Sequence, residues 1–464
     1  MAGTFMKGET KVRPGAYFRV EKAGTDAVAG ADDGVVCAIF AADFGPLGVA
    51  KTLTGTDNYQ NFYGNGGNTD MLREIYAASP KKVICIRLGD GGTAAKAEVA
   101  AATGTVTLTA KYAGSKKFTY SVKTKAADST KKTVAIYADG SVFESHDFAV
   151  VDNEVDEFVA AFKDSENFTA SKGTATGKIT ETTSTAFTAG EDPKITNADY
   201  SNAFSIAEKF RFNGICVDSS DNAVHLLLSA FLDRIYNVGQ MAVCFVAQDP
   251  SETLADREAA AAAFNSEKVN YVVNAHVKES EVELKGYLVA ARITAEYAVT
   301  PSSQSMTHKV ISGWTELLEP LTPTQMTEAE TKGCLVLSTN AAGQVWIDYA
   351  INTLVTPKDD QDAGWKKTRR TKTRFELMTR CNDQADSMIG KVNNDANGRA
   401  TVVAQLQTIV NSMISEGKLV AGTVSEDTTS VSDGDYAYFV IDVVDLDSIE
   451  HVYLTYRFRF SSIV

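Results

Sequence analysis

"FNGICVDSSDNAVHLLLSAFLDRIYNVGQMAVCFVAQ", residues 212–248, decides the fold. "FNGICVDS" is a short apolar run closed by turn-forming residues, and it reads as a buried strand. "NAVHLLLSAFLDRIYNVG" carries apolar residues at helical spacing and ends on Gly239, a helix stop signal. "MAVCFVAQ" is a second apolar strand. Downstream come a helix in "SETLADREAAAAAFN" and a strand in "VNYVVNA"; upstream lie the strand "VVCAIFAA", the short helix "NTDMLREIYAAS" with Asn68, Thr69 or Asp70 as caps, and the strand "KKVICIRL". Strands alternating with helices at this spacing predict an α/β layer with parallel strands.

The alternation is interrupted. After "GDGG" at 89–92 the chain turns Thr-, Val-, Lys- and Tyr-rich, with strand-like pieces "GTVTLTAKYAG", "KFTYSVKT", "KTVAIYADG" and "SVFESHDFAV", then a short helix in "VDEFVAAFKDS". Short strands with regularly spaced turns predict a small β-rich domain. Residues 169–190, poor in bulky apolar side chains, read as a loop or linker. Towards the end, Trp365–Ile389 and Asn397–Glu416 read as two helices; Val402, Leu406, Ile409 and Met413 form a helical stripe in the second, closed by Gly417. The expected organisation is a multidomain α/β and α+β chain. It has an arm at 1–34, a split α/β domain at 35–92 and 191–355, an inserted β-rich domain at 93–190, and a C-terminal α+β domain at 356–464.

With 464 residues, 44% of them hydrophobic and 22% charged, the chain has ample material for folded cores. A net charge of −14 argues against nucleic acid as the main partner, since phosphate binding needs a concentrated basic surface. Cys37, Cys85, Cys216, Cys244, Cys334 and Cys381 are scattered without metal or redox spacing and read as reduced core cysteines of a chain folded in the cytoplasm. The N-terminus lacks the basic head and apolar stretch of a signal peptide, and no apolar run reaches the roughly 20 residues that span a bilayer.

Motifs for chemistry are thin. His146, His225, His276, His308 and His451 form no tight pair and no HExxH. There is neither GxSxG nor a Walker lysine motif, and "YGNGGN" at 63–68 has turn glycines without phosphate-cradle spacing. "NNDANGR" at 393–399 imitates the start of a calcium loop, but the twelfth position, which needs a bidentate carboxylate, falls on Ala404; a turn and helix cap is the reading. No catalytic, cofactor or metal residue is assigned. Against the acidic whole, "KKTRRTKTR" places six basic residues in nine: Lys366, Lys367, Arg369, Arg370, Lys372 and Arg374. Either it is a solvated helix face or it docks an acidic partner; no aromatic platform accompanies it for nucleic acid.

Both chain ends read as strands. In "HVYLTYRFRF" Val452, Leu454, Tyr456, Phe458 and Phe460 share one face, and His451, Tyr453, Thr455, Arg457 and Arg459 the other. Such a segment needs a sheet for its backbone groups, and "YAYFVIDVV" nearby is the expected mate. "KVRPGAYFRV" at 11–20 has no obvious local mate. An arm of about 20 residues reaches roughly 60–70 Å, enough to add a strand to another subunit. If every subunit gives and receives, the contact propagates as a helix or filament unless it closes.

These residues also carry a resemblance. "KVRPGAYFRV", "MTHKVISGWTE", "WKKTRRTKTRFELM", "IGKVNNDANGR" and "DLDSIEHVYLTYRFRF", in this order, resemble the tail sheath proteins of contractile phage tails and related bacteriocins, particularly those of Gram-positive bacteria and their prophages. The resemblance weakens over 93–190. It implies a non-enzymatic subunit without cofactors, polymerised helically as stacked sixfold rings around an inner tube protein. Baseplate and tail terminator proteins would be further partners, with no nucleic acid bound and no membrane insertion. It implies assembly in the bacterial cytoplasm, release on lysis as part of a tail or tail-like particle, and contraction that drives the tube through a cell envelope. By position, Pro14, Gly15, Tyr17, Phe18 and Val20 would belong to a donated N-terminal strand. Val452, Leu454, Tyr456 and Phe458 would belong to the receiving C-terminal sheet, and Lys366–Arg374 would be the tube or inter-subunit electrostatic contact. The readings set against it are a soluble α/β enzyme and a surface-binding protein using the inserted domain.

Overall fold

Eight strands form one sheet in the structure, a computed structural model that describes residues 3–4, 17–18, 33–359, 361–430 and 432–459. They are β1 (Val35–Phe40), β2 (Ala50–Thr54), β3 (Lys82–Arg87), β4 (Gly214–Val217), β5 (Val243–Val246), β6 (Val269–Val272), β7 (Cys334–Thr339) and β8 (Val345–Tyr349). The order is β8-β7-β6-β5-β4-β1-β3-β2. The inner six pair in parallel and the two edges are antiparallel. The parallel strands read as continuous apolar runs because both faces are covered.

The covering helices are α1 (Asp70–Ala77), α2 (Asn197–Ala207), α3 (Asn222–Asn237), α4 (Leu254–Phe264), α5 (Tyr287–Val299) and α6 (Pro323–Thr331). Val35, Cys37 and Ile39 of β1 point into the core shared with α2, α3, α4 and α6. Val36, Ala38 and Phe40 point into the core shared with α1 and α5. Helix α3 buries Val224, Leu228, Phe231, Leu232 and Ile235, spaced along one stripe. Each such side chain contributes about 1.5–3 kcal/mol by leaving water. The Asp221 carboxylate accepts from the Ala223 N–H (2.9 Å) to start α3, and Gly239 at φ +86° ends it.

Between β3 and α2, residues 94–186 form two four-stranded antiparallel sheets. One has the order 168–171, 105–113, 94–103, 176–179, the other 141–149, 128–138, 119–125, 182–186. They enclose Val99, Leu108, Phe118, Val122, Ile136 and Phe168, with Phe158 from the helix Glu154–Ala161. The stretch 169–190 is therefore not a linker: it supplies edge strands in both sheets. Edge strands need few bulky side chains because one side faces water, and that removed the apolar signal.

The junction of this insertion with the main sheet centres on Arg87, whose side chain is 1% exposed. Its guanidinium donates to the carbonyls of Ala42 (2.6 and 2.9 Å), Gly45 (2.7 Å) and Ala113 (2.8 Å). Burial pulls its pKa down to about 10. Gly114 lies so close that a Cβ there would sit 1.9 Å from the Asp43 carbonyl oxygen.

The C-terminal part consists of α7 (Thr368–Met388), α8 (Ala396–Ser415) and an antiparallel pair, β9 (Leu419–Glu426) and β10 (Phe439–Asp445). "NNDANGR" is a helix cap: the Asp395 carboxylate accepts from the Gly398 N–H (2.7 Å). Leu406, Ile409, Val410 and Met413 of α8 pack on Leu377, Cys381, Leu419 and Val424.

The terminal strands depart from expectation. Residues 446–459 form no ladder with β10 or any other described strand. At the N-terminus, Tyr17 and Phe18 pair in parallel with Gly3 and Thr4 over two residues. Pro14, Gly15 and Val20 lie outside the described residues.

Arg87→Met is expected to destabilise the chain by about 3 kcal/mol, because buried carbonyls at the junction lose the guanidinium donors. Arg87→Lys should recover less than half of that, one ammonium being unable to reach all the carbonyls. Denaturant unfolding checks both.

Candidate functional site

Hairpin β9–β10 packs one face on α8 and exposes Val420, Val440 and Val444 on the other. No other described strand pairs with either; on the outer edge of β9, Gln407 of α8 donates Nε2 to the Gly422 carbonyl (3.1 Å) and accepts from the Val424 N–H (2.9 Å), which leaves the outer edge of β10 open. A two-stranded hairpin is marginal alone, and open edges are templates for another strand. The chain leaves this hairpin at Leu446, whose N–H donates to the Lys418 carbonyl (3.1 Å). Beyond it, Val452 (69% exposed), Tyr453 (92%), Leu454 (69%), Tyr456 (74%) and Phe458 (85%) are all uncovered. No described strand pairs with this segment, which corrects the expected pairing with "YAYFVIDVV".

The root of this segment is clamped. Lys367 Nζ reaches Asp447 Oδ2 (2.5 Å) and Glu450 Oε2 (2.9 Å). Arg370 donates through Nε and Nη2 to the two oxygens of Asp445 (2.5 and 2.8 Å) and through Nη1 to Asp362 Oδ1 (3.1 Å). Arg369 Nη1 donates to Ser448 Oγ (3.0 Å). Ser305 and Thr307 hydroxyls donate to Glu450 Oε1 (2.8 and 3.1 Å). Burial works to lower the Lys367 pKa, but Asp447 and Glu450 outweigh it and hold it above its ordinary value. The hydrogen bond from Arg370 to Asp445 likewise holds Arg370 up. Bidentate Arg–carboxylate pairing adds direction to the attraction.

The basic run is thus largely engaged within the chain. Arg374 pairs with Glu267 and stacks over Trp365, 3.9 Å from the ring centre. Lys366 lies 5.7 Å from the Tyr349 ring centre. Lys372 is buried, its Nζ donating to the carbonyls of Tyr297 (2.6 Å), Ala298 (3.1 Å) and Thr300 (2.5 Å). It caps the C-terminal end of α5, and burial pulls its pKa to about 8. The physical reason is position: the first turns of α7 lie between the main sheet's helices and the C-terminal root. The partners were visible in sequence as the acids of "DVVDLDSIE", which complement the basic run.

Further along α7, Glu376 pairs with Arg380 (2.5 Å) and Lys418 (2.7 Å). Arg380 forks onto both oxygens of Glu416 (2.7 and 2.9 Å). Hydrogen bonding from Arg380 brings Glu416 down to about 2, against the opposing effect of its partial burial.

The rest of the chain offers structure rather than chemistry. In doubly wound sheets ligands sit where strand order reverses, here between β1 and β4. That place is filled by the chain itself: Asp218 accepts from the Ala41 N–H, Asn68 Nδ2 and the Tyr200 hydroxyl, each at 2.7 Å. His225 places Nε2 2.9 Å from the Ser219 carbonyl, and burial lowers its pKa to about 4, so it is neutral and donates there. All six cysteines are buried and unpaired. Among the described residues no group of three His, Cys, Asp or Glu is placed to hold a metal, and no helix is long and apolar enough to cross a membrane.

Glu416 has its pKa depressed by folding, so its contribution is present above the ordinary carboxylate value and lost as pH falls towards about 2. Glu416→Gln should lower the melting temperature at pH 7, and the gap to the parent should close between about pH 4.5 and pH 2. Thermal unfolding followed by circular dichroism measures it.

Residues 193–353 match the family model of the phage tail sheath protein central domain. A search of curated proteins gives no match. The sheath tail protein of Desulfitobacterium hafniense superposes with a TM-score of 0.72 at 19% identity, covering 93% of this chain and 100% of that one. The sheath tail protein of Listeria innocua gives 0.68 at 20% identity, over 90% and 97%. The anti-feeding prophage helical sheath in its contracted state gives 0.57 at 11% identity, over 97% and 99%. The shared fold spans nearly the whole chain, and the family match covers the main sheet from α2 to just beyond β8. The central part of this chain thus matches the phage tail sheath family model, and the architecture around it has the fold of the sheath tail proteins it superposes on.

Proposed function

We propose that the chain is the structural subunit of a contractile tail sheath, polymerising helically in sixfold rings around an inner tube protein. Contraction would drive the tube through a target envelope. The observation that supports this most is the pairing of defects in one molecule: an exposed segment of alternating apolar residues without a sheet, and a hairpin whose β10 edge is open. A segment of 11 residues from Ile449 to Arg459 reaches about 35 Å when extended, enough to lie on a neighbour's hairpin. Since each subunit both gives and takes, the contact is heterologous and generates rings or helices.

This reading reverses one role. Val452, Leu454, Tyr456 and Phe458 belong to a donated strand, and β9–β10 is the receiving sheet. The N-terminal arm, with Pro14, Gly15, Tyr17, Phe18 and Val20, is a second donated strand. Residues 35–92 and 191–355 act as one body, 93–190 as an appended one. Energy for contraction comes from exchanging one set of subunit interfaces for another. Baseplate and terminator proteins complete the ends of the polymer.

Two truncated chains, one lacking residues 1–20 and one ending at Ser448, should fold with unchanged secondary structure. Each should melt within a few degrees of the parent, because neither loses a core element. Neither should form long tubes in negative-stain electron microscopy at concentrations where the full chain does. Normal tubes from both truncations would overturn strand exchange, and a full chain that stays monomeric at all concentrations would overturn the sheath reading.

A further inference from the structure

The two proposed connectors leave the chain at opposite ends of the sequence, yet their roots meet. At the N-terminal root, the Gly34 N–H donates to the Ala298 carbonyl (3.0 Å) and the Val35 N–H to Asn213 Oδ1 (2.9 Å). The same Ala298 carbonyl accepts from Lys372 Nζ (3.1 Å). Lys372 also holds the Thr300 carbonyl (2.5 Å), and Lys309 Nζ donates to the Thr300 hydroxyl (2.6 Å). Two residues on, the Ser302 carbonyl accepts from Arg369 Nε (3.3 Å) and the Thr373 hydroxyl (3.2 Å), while its hydroxyl donates to Glu376 (2.5 Å). Arg369 then reaches Ser448 of the C-terminal root, and Ser305 and Thr307 reach Glu450.

We propose that residues 300–307 and the first turns of α7 form one latch that holds the roots of both termini, so that releasing either root loosens the other. Its use as a coupling between connectors rests on the strand-exchange reading; its existence does not. Residues 300–307 belong to no helix or strand; Met306 anchors them in the core and the Thr307 hydroxyl accepts from the Ala350 N–H (3.1 Å), and further side-chain bonds come from α7 and the C-terminal root. Lys372, Arg369 and Glu376 are buried at 5%, 5% and 4% exposure. A buried charge that loses its partner leaves a large unpaid desolvation term, and the surrounding loop must rearrange to recover it. Removing one root therefore strains the anchor of the other through a shared loop.

The test uses the full chain, dispersed, with three variants: Glu450→Gln at the C-terminal root, Lys372→Met at the N-terminal side, and Ser302→Ala between them. One readout is amide exchange at Gly34 and Val35. The other is the width of the distance distribution between nitroxides on Tyr453→Cys and Leu226→Cys, both exposed positions in a chain whose own cysteines are buried. Glu450→Gln should speed exchange at Gly34 and Val35 roughly three- to thirtyfold, and Lys372→Met should broaden the distribution at Tyr453. Ser302→Ala should do both, and decides the matter if Lys372→Met does not fold. Arg399→Gln, at the far start of α8, should do neither. Variants that move only their own end, or an Arg399→Gln that moves both, overturn the latch. Absence of tubes from the full chain would overturn the proposed function and leave this measurement intact.

Discussion

An extended backbone points its N–H and C=O groups sideways, and something must accept them. In the main sheet each parallel strand finds neighbours on both sides, and helices on both faces keep water away. At the C-terminal end this demand is not met within the described residues. Most of what distinguishes the C-terminal region follows from it: the open edge of β10, the bare segment at 446–459 and the charged clamp at its root. The clamp fixes where the segment begins without giving it a sheet. The segment is thereby aimed while it remains available.

The charges are arranged by the same logic of position. Arg87, Lys372 and Arg369 are nearly inaccessible, and each answers backbone carbonyls rather than a single acid. Such cations tie separate segments together: the insertion to β1, the end of α5 to α7, the loop after α5 to the C-terminal root. Arg370 and Lys367 instead face carboxylates at partly open sites, and the buried Arg380 forks onto the more open Glu416. A large share of the basic residues outside the insertion thus works as internal fastening, in a chain whose acidic excess stays on the outside.

The sequence was most legible where apolar period and length agreed. "VVCAIF", "KVICIR", "GICV", "VCFV" and "VNYV" are strands of one sheet, and α3 ends where Gly239 stops it. It was least legible where one side of an element faces water or another chain. Residues 176–179 and 182–186 lack bulky side chains because they lie at sheet edges. The alternation of Val452 to Phe458 was plain, but alternation alone does not name a mate, and no described strand pairs with it. For the basic run, both its charge and the complementary acids of "DVVDLDSIE" were visible, but not that they meet. Only the topology brings Asp445, Asp447 and Glu450 across some 75–80 residues to meet it.

The insertion has one more consequence. It leaves the main sheet and returns to it side by side, through paired backbone at Asp90 with Lys194 and at Thr93 with Glu191. To the sheet, the intervening hundred or so residues amount to a closed loop whose two ends are already joined. Its content is therefore free to vary without altering the register of β1, β3 or β4, provided the replacement leaves Arg87 its carbonyls. A polymer of such subunits would repeat that loop once per subunit, making it a natural place for lineages to diverge and a ready-made mount for displayed domains.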